Sequence, residues 1–382
     1  MKISVIGAGT MGTGIAQIAA TKGHEVCLYD SFEGAIEKAN ENVSKILNRL
    51  VEKERITNKI KDDIINRINF TGNLNDINKS SLVVEAVIEN LNVKQELFKK
   101  IENITDDNCI IASNTSSLSI ASIAGVCKIP KRIIGIHFFN PVPLMPLVEI
   151  IPSVQTSENT LLKVKSIIKS WDKVTVVTKD TPGFIVNRVA RPFYGESLKI
   201  YEEGIADFAT IDWALKEIGG FRMGPFELMD YIGNDVNYTV TETVFTSFYY
   251  DPRYKPSITQ KRMIEAGYFG RKTGRGYYDY SMEIPKPKTD RVLGKKILWR
   301  VLSMLINEAA DALFLKIATK EDLDLAMTKG VNYPKGLLAW ADEIGIKNVL
   351  NQLEELYCEY SEDRYRPSPL LKKMAKQNKK FY

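Results

Sequence analysis

The chain has 382 residues, which is more than one ordinary hydrophobic core holds. Such a length predicts roughly two or three domains. Hydrophobic residues at 44% and charged residues at 26% exclude a wholly disordered chain. No apolar run approaches the about 18 residues of a transmembrane helix, and a strand pattern at the very start leaves no room for a signal sequence. A cytoplasmic protein without membrane contact is therefore expected.

Charge and cysteine content exclude further classes. The formal net charge is +5, and acidic stretches interleave with the lysines, so a nucleic-acid partner is not expected. The four cysteines are scattered without a CxxC pair, which argues against a disulfide framework and a structural zinc site. No bound metal is expected.

A buried strand, Lys2 to Ile6, leads directly into a glycine-rich turn and a helical pattern that runs to Ala20. In such a GxGxxG turn the first glycine permits the tight turn, the second lets the backbone approach a pyrophosphate, and the third allows close packing of helix on strand. The turn residues expected to bind a cofactor are Gly7, Gly9, Thr10, Met11 and Gly12. A second strand, Glu25 to Tyr29, ends at Asp30, where a carboxylate can bind the ribose hydroxyls of the adenosine. The combination predicts a Rossmann-type, doubly wound α/β domain.

Asp30 also distinguishes between the two nicotinamide dinucleotides. Its carboxylate would repel the 2′-phosphate of NADP, and no arginine follows in Ser31-Phe32-Glu33. NAD is therefore the predicted cofactor.

Two helical stretches, about Glu33 to Leu50 and Glu54 to Arg67, come before the strands resume. They predict a helical hairpin inserted into the nucleotide-binding fold. The hairpin is rich in lysine and arginine, so one face can receive the phosphates of a large substrate, or it is simply a solvated charged surface.

A polar run, Ser113 to Ser117, follows the predicted strand Cys109 to Ala112. Ligands bind at the carboxyl ends of the strands in open α/β sheets, so the hydroxyl groups of this run are candidate ligand contacts. A Ser/Thr cluster before Leu118-Ser119-Ile120 is also typical of a helix N-cap, and this alternative stays open.

His137 is one of only two histidines, and it lies in a predicted strand, Ile133 to Phe139. The following segment contains three prolines, which cannot continue a strand and indicate a turn. If the chain pairs back as an antiparallel hairpin centred on Pro143, His137 and Glu149 lie opposite one another on one face. This is the geometry of a general base and the carboxylate that orients it, although a histidine satisfied within a sheet has the same pattern.

Several segments together resemble the L-3-hydroxyacyl-CoA dehydrogenases, which include the 3-hydroxybutyryl-CoA dehydrogenases. They are GAGTMGTGIAQIAA from Gly7, VVEAVIENLNVKQELF from Val83, SNTSSLSI from Ser113, GIHFFNPVPLMPLVEI from Gly135, DTPGFIVNR from Asp180 and GRKTGRGYYDY from Gly270. The HFFNPVP and DTPGFIVNR blocks are specific to this family, whereas GxGxxG is not. The segments follow the family's order over nearly the whole of the first 280 residues.

The resemblance implies NAD-dependent oxidation of an (S)-3-hydroxyacyl-CoA to a 3-oxoacyl-CoA, a step of fatty acid β-oxidation. It implies that His137 is the base, that Glu149 supports it, and that Ser116 and Asn187 contact the substrate oxygens. The residues it places beside the cofactor are Glu89, Lys94 and Asn114, and it places Lys53 loosely at CoA. Two alternatives stay open: a dehydrogenase of a free hydroxy or sugar acid, as in relatives similar to lambda-crystallin, and a catalytically silent NAD-binding structural protein.

The last two hundred residues repeat themselves at an offset of 112. The offset aligns Asp212 with Asp324, Gly224 with Gly336, Asp230 with Asp342, and Ile232-Gly233 with Ile344-Gly345. The agreement predicts two all-α domains related by internal duplication, joined by a linker rich in proline and charge, Glu283 to Asp290. Trp299 stands opposite Asn187, so the second copy is expected to be structural.

The predicted domains are therefore an NAD-binding domain over residues 1–180, a first helical domain over 181–282 and a second helical domain over 291–382. Family members pair this helical domain between two chains, so an internal copy can supply the same surface within one chain. We expect a monomer containing a pseudo-dimer of helical domains, with a homodimer as the alternative.

Overall fold

The structure is a computed structural model that describes residues 1–382 and divides into two units, Met1–Thr181 and Pro182–Tyr382. The first unit contains one eight-stranded sheet with the order β3-β2-β1-β4-β5-β6-β7-β8. Its strands are β1 (Lys2–Ile6), β2 (Glu25–Tyr29), β3 (Ile68–Thr71), β4 (Leu82–Glu85), β5 (Ile110–Ser113), β6 (Ile133–Phe138), β7 (Leu147–Ile151) and β8 (Val174–Val177). All neighbouring pairs are parallel except β6 with β7. The central order is the Rossmann order, so the predicted fold class is confirmed.

Six helices belong to this unit. They are α1 (Thr10–Thr21), α2 (Ala35–Glu52), α3 (Asn58–Asn66), α4 (Leu91–Ile104), α5 (Ile120–Ala124) and α6 (Glu158–Ser170). The central strands are mainly apolar and buried on both faces, as expected of strands whose two faces are covered. The helices α2 and α3 form the predicted insertion. Thr57 caps α3 by accepting a hydrogen bond from the Ile60 backbone N–H at 3.3 Å, which explains why α3 begins later than Glu54.

The second unit is helical. Its helices are α7 (Val186–Val189), α8 (Arg191–Glu202), α9 (Phe208–Trp213), α10 (Pro225–Ile232), α11 (Asn234–Ser247), α12 (Ile258–Glu265), α13 (Arg291–Phe314), α14 (Lys320–Gly330), α15 (Leu337–Ile344), α16 (Ile346–Tyr360) and α17 (Pro369–Gln377). No helix of either unit has the length and apolar character needed to cross a membrane.

The helical periodicity beyond Asp180 predicts continuous helices over Phe184 to Glu203 and Phe226 to Phe248, and both are interrupted. The segment Phe184 to Glu203 divides at Ala190, just before the proline at position 192. The segment Phe226 to Phe248 divides at Gly233, whose φ of 104° is not helical and favours glycine. Hydrophobic periodicity does not register such breaks because the buried faces continue on either side of them.

The two halves of the second unit use the same capping contacts. Asp212 accepts hydrogen bonds at 2.9 Å from the backbone N–H groups of Phe226 and Glu227 at the start of α10. Asp324 accepts equivalent bonds at the start of α15, at 2.9 and 3.0 Å. A glycine precedes each of these two helices. It is required there because a Cβ on Gly224 would lie 2.3 Å from Asp212, and a Cβ on Gly336 would lie 2.3 Å from Asp324. The repeat is therefore structural as well as sequential, whereas the predicted boundaries 181–282 and 291–382 stay a prediction.

The two halves also exchange buried ion pairs reciprocally. Arg188 Nε donates to Glu308 Oε1 at 2.6 Å, and Arg300 Nε donates to Glu196 Oε1 at the same distance. Each arginine is 112 positions from the other, and so is each glutamate. The contacts therefore obey a pseudo-twofold relation between the two helical copies.

Candidate active site

The glycine-rich turn between β1 and α1 has the geometry that a dinucleotide site needs. Gly7 has a φ of 102°, and a Cβ there would lie 2.6 Å from the carbonyl oxygen of Ala86. A Cβ on Gly12 would lie 1.8 Å from the carbonyl oxygen of Gly7. Apart from its own chain neighbours, no residue places an atom within 4 Å of the Cβ position of Gly9, so the space beside this backbone is open to a ligand. These three environments fit the tight turn, the close packing and the approach to a pyrophosphate, respectively.

Asp30 stands at the end of β2, where the sequence predicts the ribose-binding carboxylate. Its Oδ2 accepts a hydrogen bond from the backbone N–H of Ala8 at 2.7 Å, and its Oδ1 accepts one from Phe32 at 3.0 Å. The carboxylate is therefore fixed beside the glycine turn, and Thr10 and Met11 open α1 from the same turn. The residues present fit NAD.

A buried lysine joins two acids next to this turn. Lys94 is 1% exposed, and its Nζ lies 2.6 Å from Glu85 Oε1 and 3.3 Å from Glu89 Oε2. Glu85 also accepts hydrogen bonds from the Ser113 hydroxyl at 2.7 Å and the Val87 backbone at 2.6 Å. The predicted pair Glu89 and Lys94 is thus brought together. Glu85 was not predicted, because no glycine-rich turn or other motif accompanies it in the sequence, and its partner Lys94 is known only from the folded chain.

Glu89 organises the polar run that follows β5. Its Oε1 accepts hydrogen bonds from the Thr115 hydroxyl at 2.6 Å and from the backbone N–H groups of Ser116 and Ser117 at 2.9 and 3.1 Å. Partial burial acts to raise the pKa of Glu89, but Lys94 and these donors outweigh it and hold the pKa below the ordinary value. The sequence leaves open that the Ser/Thr cluster is a helix N-cap. In the structure Ser119 caps α5, so Ser116 is not needed as a cap.

Asn114 connects this loop to the histidine strand. Its Oδ1 accepts a hydrogen bond from the backbone N–H of Phe138 at 2.9 Å, and its own N–H donates to the carbonyl of Glu85 at 2.8 Å. The loop is therefore fixed to both β4 and β6, one residue away from His137.

His137 and Glu149 are directly paired across β6 and β7, in the predicted register. His137 Nδ1 lies 2.7 Å from Glu149 Oε2, and the two side chains are 8% and 0% exposed. The geometry is that of a base oriented by a buried carboxylate. The ring of Phe139 lies 4.6 Å from the imidazole and adds an apolar wall.

The two remaining predicted site residues, Asn187 and Lys53, belong to other elements of the chain. Asn187 is half-buried in α7 of the second unit, in the short helix that follows the left-handed residues Gly183 and Phe184. Lys53 lies exposed after α2, and no hydrogen bond or ion pair joins its side chain to the other predicted site residues.

An open glycine turn, a carboxylate at the end of β2 and a buried His–Glu pair on one strand pair define an NAD-linked dehydrogenase that acts on an alcohol carbon. Sequence comparison agrees. Residues 2–181 match the family model described as 3-hydroxyacyl-CoA dehydrogenase, NAD binding domain. Residues 183–280 and 297–380 both match the C-terminal domain of the same family, which confirms the duplication.

Relatives match over most of their length. The 3-hydroxyadipyl-CoA dehydrogenase of Escherichia coli K12 is 34% identical, with 98% of this chain and 97% of the relative covered. The 3-hydroxybutyryl-CoA dehydrogenase of Clostridioides difficile is 41% identical, with 74% of this chain and 100% of the relative covered. A crystal structure of 3-hydroxybutyryl-CoA dehydrogenase from E. coli K12 superposes with a TM-score of 0.95 at 33% identity, covering 99% and 98% of the two chains.

The chain belongs to the 3-hydroxyacyl-CoA dehydrogenase family. It is an NAD-dependent oxidoreductase of this family, and the predicted family, enzyme class and cofactor are confirmed. The roles of individual site residues stay predictions.

Proposed function

We propose that His137 is the general base that removes the hydroxyl proton of a 3-hydroxyacyl-CoA. The observation that carries this proposal is the buried pair in which Glu149 Oε2 lies 2.7 Å from His137 Nδ1. With Nδ1 bound to the carboxylate, Nε2 is the ring nitrogen that takes the proton, and Glu149 stabilises the imidazolium that forms. Bound NAD supplies the acceptor for the hydride that leaves C3. General base catalysis of this kind typically contributes about 10² to 10⁴-fold to the rate.

The other predicted residues position the reactants. Ser116 and Asn187 are proposed to bind the oxygens of the substrate, so that C3 faces the hydride acceptor. The network of Glu85, Lys94 and Glu89 holds the Ser113–Ser117 loop and offers charged groups to the cofactor. Lys53 is proposed only as a contact to the phosphates of CoA.

The substrate class is a CoA thioester. The relatives above are named for 3-hydroxybutyryl-CoA and 3-hydroxyadipyl-CoA, which favours a short 3-hydroxyacyl-CoA over a free hydroxy acid or sugar acid. The retained His137–Glu149 pair argues against a catalytically silent protein. A cytoplasmic location and a place in fatty acid β-oxidation belong to the same proposal.

The substrate assignment is tested by following NADH oxidation with acetoacetyl-CoA, longer 3-oxoacyl-CoAs and free acetoacetate, and by repeating the assay with NADPH. The proposal predicts that the CoA thioesters with NADH give the highest kcat/KM. Equal kcat/KM for free acetoacetate, or turnover of L-gulonate instead of 3-hydroxybutyryl-CoA in the oxidative direction, would contradict it.

For the assembly, we propose a monomer in which the two helical copies form an internal pseudo-dimer. The reciprocal pairs Arg188–Glu308 and Arg300–Glu196 support it, as do the matching tyrosine bonds, Tyr254 to Glu308 at 2.5 Å and Tyr365 to Glu196 at 2.7 Å. Each helical copy therefore covers the surface of the other copy that would otherwise be available to bind a second chain. Sedimentation equilibrium at micromolar concentration should give about 43.1 kDa, and twice that mass contradicts the proposal.

A further inference from the structure

The short turn between α6 and β8 lies beside the end of the histidine strand. The strand β7 runs antiparallel to β6, and β8 runs parallel to β7, so β8 starts at the edge of the sheet where β6 ends. Lys173 immediately precedes β8 and is 7% exposed. Its Nζ donates hydrogen bonds to the carbonyl oxygens of Val142 at 2.6 Å and Met145 at 2.7 Å. Both carbonyls belong to the loop Asn140–Pro146, which connects His137's strand to that of Glu149.

This loop has few hydrogen-bond donors of its own. Three of its seven residues are prolines, which lack a backbone N–H group. Two of the N–H groups that remain, those of Leu144 and Met145, both donate to the carbonyl of Pro141 at 3.0 Å. The carbonyls of Val142 and Met145 therefore need a donor from elsewhere in the chain, and Lys173 supplies it.

A cation at this position is costly to bury. Lys173 bonds to backbone carbonyls and not to a carboxylate, and burial, with a smaller effect from Lys22, lowers its pKa to about 8. An apolar residue would avoid this desolvation cost but would leave the carbonyls of Val142 and Met145 without their donor. The buried lysine is therefore explained by the loop carbonyls that it holds.

The Asn140–Pro146 loop and the turn before β8 contact α1, which follows the glycine turn of the cofactor site, and the end of β6, which carries His137. Val142 is 2% exposed and packs on α1, because a Cβ added to Gly14 would lie 2.9 Å from the Val142 Cβ. The ring of Trp171 stacks on Phe138, the neighbour of His137, with centroids 6.1 Å apart. The turn is also tied to the end of α1 by an ion pair between Asp172 and Lys22.

We propose that Lys173 is a positioning residue for the dehydrogenase reaction, which holds the Asn140–Pro146 loop and the end of β6 against α1. The inference rests on the proposed role of His137. It adds that the distance between the base and the cofactor helix is set by a clamp on the loop, outside the catalytic residues themselves. A displacement of about 1 Å of a reacting group can lower a rate by about 10²-fold, so the clamp has a measurable effect on turnover.

The test compares Lys173→Met with a matched variant, Arg132→Met. Arg132 is 4% exposed and donates to the carbonyls of Cys109 at 3.4 Å and Glu102 at 3.3 Å, but it stands before β6, at the opposite end from His137. Both variants remove a buried cation that binds backbone carbonyls, and Arg132→Met also removes an ion pair with Glu102 Oε1 at 3.8 Å. We expect Lys173→Met to lower kcat for acetoacetyl-CoA reduction by about 10 to 100-fold while the Kd of NADH changes by less than about twofold. Arg132→Met should lower Tm comparably and leave kcat within about twofold, since the base is not displaced.

Lys173→Arg, which keeps a cationic donor, should recover most of the kcat that Lys173→Met loses. If Lys173→Met does not fold, Lys173→Gln is used in its place. If Lys173→Met and Arg132→Met lose kcat equally, the loss comes from reduced stability in general, and the proposal is overturned. Wild-type kcat in Lys173→Met, with an inactive His137→Gln, overturns the positioning role alone. Wild-type turnover in His137→Gln overturns the proposed function and this inference with it.

Discussion

Replacing Glu149 by glutamine removes one charge from the proposed catalytic pair and nearly preserves its shape. In the structure Glu149 is 0% exposed and its Oε2 lies 2.7 Å from His137 Nδ1. With charge centres about 4 Å apart and an effective dielectric constant of about 20, the carboxylate stabilises an imidazolium by about 4 kcal/mol. Since each 1.36 kcal/mol is tenfold in rate, the full effect corresponds to about 10³-fold in kcat. Only part of the imidazolium charge exists in the transition state, so a loss of about 10² to 10³-fold is expected.

The assay is steady-state oxidation of NADH with saturating acetoacetyl-CoA, together with the Kd of NADH from fluorescence titration. NADH binding should be unchanged, because Glu149 lies in β7 and is paired with His137, whereas the glycine turn follows β1. Glu102→Gln is the matched control: this buried carboxylate accepts backbone hydrogen bonds from Lys128 at 2.7 Å and Ile129 at 2.8 Å, far along the chain from the histidine pair. A kcat for Glu149→Gln within threefold of wild type, or a loss matched by Glu102→Gln, would refute the electrostatic reasoning.

Three further predictions concern the cofactor site and the helical unit. Asp30→Ala should weaken NADH about 10 to 100-fold, because bonds to a charged acceptor are worth about 1.5–3 kcal/mol, and should raise the relative use of NADPH; unchanged discrimination in kcat/KM contradicts the role of Asp30. Glu308→Gln and Glu196→Gln should each reduce the free energy of unfolding by about 3–5 kcal/mol in urea titrations. If either variant leaves the free energy of unfolding unchanged, the reciprocal arrangement of the two ion pairs is contradicted. The pKa of Glu89 is lower in the folded chain than its ordinary 4.5, so its stabilising effect is fully present above that pH and is lost as the pH falls through the folded value. The difference in unfolding free energy between wild type and Glu89→Gln should therefore be constant from neutral pH to about pH 5 and then shrink, and a difference that grows on acidification contradicts the sign.

The His137–Glu149 pair could be predicted because, in an antiparallel hairpin, residues equally far from the centre of the turn lie opposite one another. The prolines between the two residues place the turn, and a hairpin centred on Pro143 leaves one register. The glycine turn and Asp30 were predictable for a similar reason, since strand, turn, helix and acid follow one another in the chain. Local sequence order carries this information without any knowledge of tertiary packing.

Other features depend on contacts between distant segments and left no local pattern. Glu85 is the last residue of β4 and Lys173 immediately precedes β8. Only the folded chain shows that Glu85 pairs with Lys94 and that Lys173 binds the carbonyl of Val142. The edge strands β3 and β8 were not predicted, because they are four residues long and partly exposed, so their alternation is weak. The reciprocal pairs between the helical copies join residues more than 100 positions apart, which a single sequence does not reveal even when the repeat itself is visible.

The central claim is that His137 removes the substrate proton, and the most direct measurement is turnover of acetoacetyl-CoA by folded His137→Gln. The glutamine keeps a polar side chain but cannot exchange a proton near neutral pH. We predict that kcat falls by at least about 10²-fold while the Kd of NADH stays near the wild-type value. Turnover close to wild type, in protein whose Tm shows that it is folded, would contradict the account.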